Sequence, residues 1–213
     1  MMLRYAAVAF VAVALAAGCD NDPGKDKAKA QVSAPAAVQP VTTGAATKLA
    51  FSSADGSKFS FVGAKVTRKH DGNFGKFSGT VDLVDGNAEK SKVTAEVDVG
   101  SLSTDEEKLT GHLKTGDFFD VAKFPTAKFT STAIKAGGEK GASHTITGNL
   151  ELHGVTKSIS FPATIKVNGD QLDADAEFAI NRKDFGIVYP GKPDDLIKDE
   201  VLIKLAIRAK KAS

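Results

Sequence analysis

Few residues of this 213-residue chain have the types and spacing that chemistry needs. The four histidines, His70, His112, His144 and His153, show no ligand spacing among themselves. A fold could still bring His112 and His153 together with Asp117 as a third group, which would offer a metal or acid–base site. The blander use of both histidines is to bond loop backbone. Arg182 and Asp184 offer the same choice, either contacting a ligand head group or tying a loop down by an ion pair, the commoner use. The chain has no G-x-S-x-G, S-x-x-K, P-loop, G-x-G-x-x-G or H-E-x-x-H pattern. No catalytic residue, cofactor or metal is therefore expected, and binding is the class of function left in front.

Cys19 is the single cysteine, which excludes an internal disulfide and a cysteine-based metal site. It follows a short basic start, Met1-Met2-Leu3-Arg4, and an apolar run from Ala6 to Leu15 that is short for a bilayer span. That layout is an export signal over residues 1–18. Leu15-Ala16-Ala17-Gly18-Cys19 also resembles the lipobox of bacterial lipoproteins, which implies cleavage before Cys19 and acylation of its thiol, palmitate included. Two or more acyl chains would anchor the protein stably, where one alone binds marginally. Residues 19–47 hold no aromatic side chain and read as a lipidated cysteine on a flexible tether. The expected location is the cell envelope, facing the periplasm. Asp20 favours inner-membrane retention in some lineages only, so inner and outer membrane both stay open.

The net charge of +2 is small and dispersed, with no basic stripe, so nucleic acid is not an expected partner. From residue 48 to 213 the pattern is period two, the mark of half-buried strands. Val93, Ala95, Val97 and Val99 alternate with polar residues, as do Ile146-Gly148-Leu150-Leu152 and Ile159-Phe161-Ala163-Ile165-Val167. Leu172-Ala174-Ala176-Phe178-Ile180 and Val201-Ile203-Leu205-Ile207 do the same, and weaker versions run through 57–65, 76–84 and 126–135. Asp85-Gly86-Asn87, Gly137-Gly138 and Asn168-Gly169-Asp170 supply hairpin turns between neighbours. About eight antiparallel strands in meander order leave a sandwich or a barrel, and long strands favour the barrel because closure removes edges. Ser103-Thr104-Asp105-Glu106 reads as a capping box opening a short helix between the third and fourth strands, with Leu109 and Leu113 on one face.

An eight-stranded barrel is just wide enough to be filled by side chains or to hold one small ligand. Large residues, Phe129, Phe161 and Phe178, share the inward face with small ones such as Gly79, Ala95, Gly148, Ala163, Ala174 and Ala176. A cavity is expected to be walled by Phe77, Val81, Val97, Phe129, Leu150, Phe161, Ile165, Ala174, Phe178 and Leu205. The alternative is that large and small side chains interdigitate to native density. His112, Phe118, Phe119, His153 and Arg182 are candidate mouth or head-group contacts, and Phe118-Phe119 beside Pro125 can also serve simply to seal one end.

Several motifs resemble the YceI-like family of lipocalin-like, polyisoprenoid-associated proteins. The clearest runs from His112-Leu113-Lys114-Thr115-Gly116-Asp117-Phe118-Phe119-Asp120-Val121 through Phe124-Pro125 to Thr126-Ala127-Lys128-Phe129. Gly75-Lys76-Phe77-Ser78-Gly79, Gly148-Asn149-Leu150-Glu151-Leu152-His153-Gly154-Val155 and Arg182-Lys183-Asp184-Phe185-Gly186 accompany it in family order. The resemblance implies an eight-stranded antiparallel barrel whose long pore takes an isoprenoid chain, a quinone tail or a fatty acyl chain, with no general catalysis. Many members carry an Arg-Asp pair where this chain has Leu109-Thr110, so that Arg has no counterpart here.

Three functions follow. The first is an envelope lipoprotein that carries, stores or sequesters an apolar lipid-like small molecule. A structural or interaction lipoprotein with a packed barrel is the second, and a lipid-acting enzyme using His112 and His153 is the third. The oligomeric state is not legible.

Overall fold

Alternating apolar residues dictate strands, and the computed structural model is built almost wholly of them; it describes residues 21–38 and 44–211. In chain order the strands begin with β1 (Gln31–Ser33), β2 (Ala46–Ser52), β3 (Lys58–Ala64) and β4 (Lys69–Phe74). β5 (Phe77–Val84), β6 (Asn87–Asp98) and β7 (Leu102–Thr104) follow, then the helix α1 (Glu107–Leu113). The long strands β8 (Thr126–Ala136), β9 (His144–Leu152), β10 (Val155–Asn168) and β11 (Gln171–Asn181) come next. A small hairpin, β12 (Gly191–Lys192) and β13 (Asp195–Leu196), precedes the last strand, β14 (Glu200–Lys211).

The sheet closes. β14 pairs with β11 along its length, and its other edge pairs with β3 from Leu202 to Ala206 and with β2 at Lys210 and Lys211. β2 and β3 are thus one stave interrupted by a 3-10 turn, Ser53–Asp55. β4–β5 and β6–β7 are broken staves of the same kind, since β5 pairs β2 while β4 pairs β3, and β6 pairs β5 while β7 pairs β4. Counted this way, eight antiparallel staves run up and down in chain order and meet where the last joins the first. The barrel expected from the sequence is the one observed; the sandwich is not.

Turn chemistry agrees with the register. Asp85 and Gly86 both take positive φ between β5 and β6, as a two-residue hairpin requires, and His153 and Gly154 do so between β9 and β10. The interior is built from facing pairs such as Val97 with Ala127, Phe129 with Leu150, Ile146 with Phe161, and Ala176 with Leu205. Gly79 and Gly148 leave no empty room, so at these two positions large and small side chains interdigitate. A Cβ at Gly79 would land on the Phe51 ring, and one at Gly148 on the Phe129 ring. Each glycine is a seat for a cross-strand aromatic.

Two expectations are corrected. The tether assigned to residues 19–47 is not free along its length, because the stretch from Asn21 to Ala36 lies against the barrel. Pro23 and Gly24 are buried, Ala28 is 4% exposed, β1 pairs with β10 from Gln31 to Ser33, and the Ala36 N–H donates to the Asn149 side chain. Low aromatic content did not prevent this, because backbone hydrogen bonds and small buried side chains suffice where a sheet leaves an open seam. The barrel domain also starts before residue 48, with β2 at Ala46. Residues 1–18 and Cys19 lie outside the described residues.

The second correction concerns the helix. α1 lies where it was expected, but its N-cap is Glu106 and no side chain caps it. Ser103 and Thr104 belong to β7 instead, and the Thr104 hydroxyl meets Thr110 Oγ1 at 2.9 Å, pinning the helix to the strand end.

Candidate functional site

The barrel encloses a cavity of about 560 Å³. That lies within the roughly 300–1,000 Å³ typical of small-molecule pockets. Period-two patterning puts its wall on the inner face of every long strand. Phe77, Val81, Val97, Phe129, Leu150, Phe161, Ile165, Ala174, Phe178 and Leu205 all line it. Phe161 and Phe178 stack at 4.3 Å with 17° between their planes, and Phe129 leans on Phe161 at 5.9 Å. Nearer α1, Phe59 and Phe74 tilt together at 4.8 Å, and the Phe119 ring meets Phe74 edge-on at 6.0 Å.

One end is shut and the other is not. Val81, Ala88, Ile134, Ile165 and Leu172, toward the β5–β6, β8–β9 and β10–β11 turns, are all buried. Toward α1 the lining turns polar, with Lys108 and Lys192 exposed and Lys65, His112, Tyr189 and Asp195 half-buried. This mouth is framed by α1, the β3–β4 turn and the β12–β13 hairpin. Lys65 Nζ meets Asp195 at 2.6 Å, and the Thr67 hydroxyl and N–H both donate to the same carboxylate. Those contacts, Lys65 foremost, hold the Asp195 carboxyl below the usual carboxylate range. Arg68 and Glu106, 3.8 Å apart, link the turn to the helix start.

The expected mouth residues divide. His112 lies in the rim with Nε2 2.8 Å from Asp117 Oδ2, and its ring packs edge-on against Phe118 at 5.0 Å and Tyr189 at 5.3 Å. Phe118 is buried in that cluster and Phe119 reaches into the cavity, so the pair both seals and lines the mouth. His153 is not part of it. Its positive φ serves the β9–β10 turn, its ring packs on Phe124 at 4.7 Å, and Nδ1 donates to the Phe185 carbonyl at 3.2 Å. The trio of His112, His153 and Asp117 is therefore not assembled, and no group of three metal-ligating side chains exists among the described residues.

Arg182 touches the cavity lining, but its nitrogens are spent on the protein. They donate to the carbonyls of Ile187 at 2.7 Å, Lys198 at 3.2 Å and Ile197 at 3.5 Å, and to Asp199 Oδ1 at 3.3 Å. Those bonds make the guanidinium a clamp on two loops; burial pushes its pKa down and Asp199 partly offsets this. Its ion-pair partner is Asp199, not Asp184, which points to the outer groove beside β1. The sequence pattern did not reveal Tyr189 and the β12–β13 hairpin as mouth elements, because a Pro- and Gly-rich insertion carries no periodicity to place it.

Comparison with known proteins agrees with this architecture. Residues 26–209 match the model of the YceI-like domain. The chain is 34% identical over 139 residues to a UPF0312 protein of Pseudomonas putida strain W619, covering 62% of this chain and 71% of the relative. It superposes on BcnA of Burkholderia cenocepacia with a TM-score of 0.65 and 28% identity, over 73% of this chain and 97% of that one. A polyisoprenoid binding domain from Saccharophagus degradans, implicated in plant cell wall breakdown, gives a TM-score of 0.60 at 15% identity. It is covered completely and spans 79% of this chain, which is likeness of fold.

Proposed function

The chain belongs to the YceI-like family, and from that premise we propose that it is an envelope lipoprotein that holds an apolar, lipid-like chain inside its barrel as a carrier, store or sequestering protein. One observation carries the reading: a cavity of about 560 Å³, shut at one end and walled by Phe129, Phe161, Phe178 and their aliphatic neighbours. An isoprenoid, a quinone tail or a fatty acyl chain satisfies such a wall, because each buried CH₂ gains about 0.8 kcal/mol. Polyisoprenoid binding by the similar domain of Saccharophagus degradans points the same way. Acylation of Cys19 supplies the membrane anchor, on the strength of the Leu-Ala-Ala-Gly-Cys sequence.

Native mass spectrometry of protein purified without detergent tests the binding. The expected result is an adduct that organic solvent removes and that partitions as a lipid. A protein that carries no adduct, and that fails to take up a fluorescent fatty acid or an isoprenoid quinone, would return the barrel to a structural role.

A further inference from the structure

A chain fixed to the barrel close behind its lipid anchor has no freedom to hold the barrel away from a membrane. Here that fixing starts at Asn21, whose side-chain amide donates to the Val66 carbonyl at 2.8 Å. Asp22 Oδ1 then accepts from the Gly24 N–H at 2.8 Å, and Gly24 is pressed so closely on Ala179 and Glu200 that a Cβ would collide with Ala179. Cys19 stands two positions before Asn21. Two residues span at most about 7 Å fully extended.

Val66 is at the mouth. It lies in the β3–β4 turn next to Lys65, and its N–H donates to the Leu196 carbonyl of the β12–β13 hairpin at 3.0 Å. Both neighbours toward the cavity, Lys65 and Asp195, line the opening. The same rim exposes large aliphatic side chains, Val66 at 52%, Leu196 at 49% and Val188 at 61%, the last beside the lining residue Tyr189. Three such side chains do not hold a protein on a bilayer unaided, but on an acylated chain they decide which face meets it.

We propose that the rim of Val66, Val188 and Leu196 rests on the bilayer that holds the acylated Cys19, so that the cavity opens onto lipid and its ligand exchanges without crossing bulk water. This rests on the acylation put forward above, and goes beyond it in assigning an orientation. The opposite end of the barrel, at the β8–β9 turn, then faces away from the membrane.

Once Cys19 is acylated the chain has no other thiol, so single cysteines can be labelled in the full-length, processed protein. Val66→Cys and the exposed Glu139→Cys, at the β8–β9 turn, would each carry an environment-sensitive fluorophore. Both would be reconstituted in phosphatidylethanolamine–phosphatidylglycerol vesicles containing a phospholipid with a nitroxide near its headgroup. The label at position 66 is expected to lose most of its emission and the one at 139 to keep it. Equal emission from the two labels on vesicle-bound, acylated protein overturns the orientation and leaves the lipoprotein reading standing. A mature protein whose mass shows no acyl group on Cys19 overturns both.

Discussion

The backbone N–H of Ala30 donates to the carbonyl of Ala179 at 2.8 Å, and the N–H of Ala179 donates to the carbonyl of Ala28 at the same distance. Lys29 and Ala179 thus form a parallel bridge, while two residues later β1 pairs antiparallel with β10. β10 and β11 pair with each other only from Thr164 and Asp175 to the turn at Asn168. Above that point the two strands part, and residues 28–33 fill the opening. The segment before the barrel is a piece of its wall.

Removing that piece should therefore be costly. Deleting residues 22–36 is expected to lower stability by about 2–5 kcal/mol, from lost backbone bonds at ~0.5–1.5 kcal/mol each and the exposure of Ala28 and Val32. Urea unfolding of the acyl-free protein measures it. An unchanged midpoint would mean that the segment is only laid on the surface.

The anchor has its own test. If Cys19 carries the anchor proposed above, Cys19→Ser should abolish incorporation of labelled palmitate and release the protein from the membrane fraction. Attachment equal to that of the unaltered protein would refute acylation as the anchor.

Arg182 should matter for folding and not for ligand choice. Arg182→Met takes the guanidinium donor from the Ile187 and Lys198 carbonyls while Lys183 still holds Asp199, and leaving a buried acceptor unpaired costs about 1–3 kcal/mol. Arg182→Lys should recover only part of this, because an ammonium cannot fork between two loops. Loss of bound lipid from Arg182→Met at unchanged thermal stability would reverse the assignment and make the guanidinium a ligand contact.

Much of this was legible in the sequence, for a physical reason. Strand periodicity reports which side of a sheet a residue faces, so alternation alone assigns Phe129, Leu150, Phe161 and Ala174 to the interior. The broken staves were harder. Phe59 and Phe74 lie on short strands, β3 and β4, separated from their continuations by turns, and each fragment alone is too short to show a clear period. The docked segment was invisible because much of its attachment is made by backbone groups at Ala28 and Ala30, which carry no signature in residue type. Of the two uses the sequence left open for His153, the structure shows the backbone bond, to the Phe185 carbonyl, because residues 153 and 154 form a tight turn away from His112.

The functional reading is most exposed at Ala174. It faces Ile165 on one neighbouring strand and Ile207 on the other, and it lines the cavity as a half-buried residue between them. Ala174→Phe would place a ring in the space assigned to the ligand's tail and leave the polar outer face untouched. Losing room for four or five carbons should weaken binding by roughly 3–4 kcal/mol. Because the ring enters existing space, the fold should tolerate it. In a barrel without usable space the same ring would overpack the core and destabilise it by about 1–3 kcal/mol. Gly79→Ala is the matched control, since a methyl there meets the Phe51 ring and the Thr94 carbonyl whether or not a ligand is bound. Thermal unfolding and native mass spectrometry on both variants separate the cases. A ligand-binding barrel gives a stable Ala174→Phe protein without its adduct and a destabilised Gly79→Ala protein. If Ala174→Phe is destabilised as much as Gly79→Ala, and the unaltered protein carries nothing to lose, the cavity does not hold a ligand.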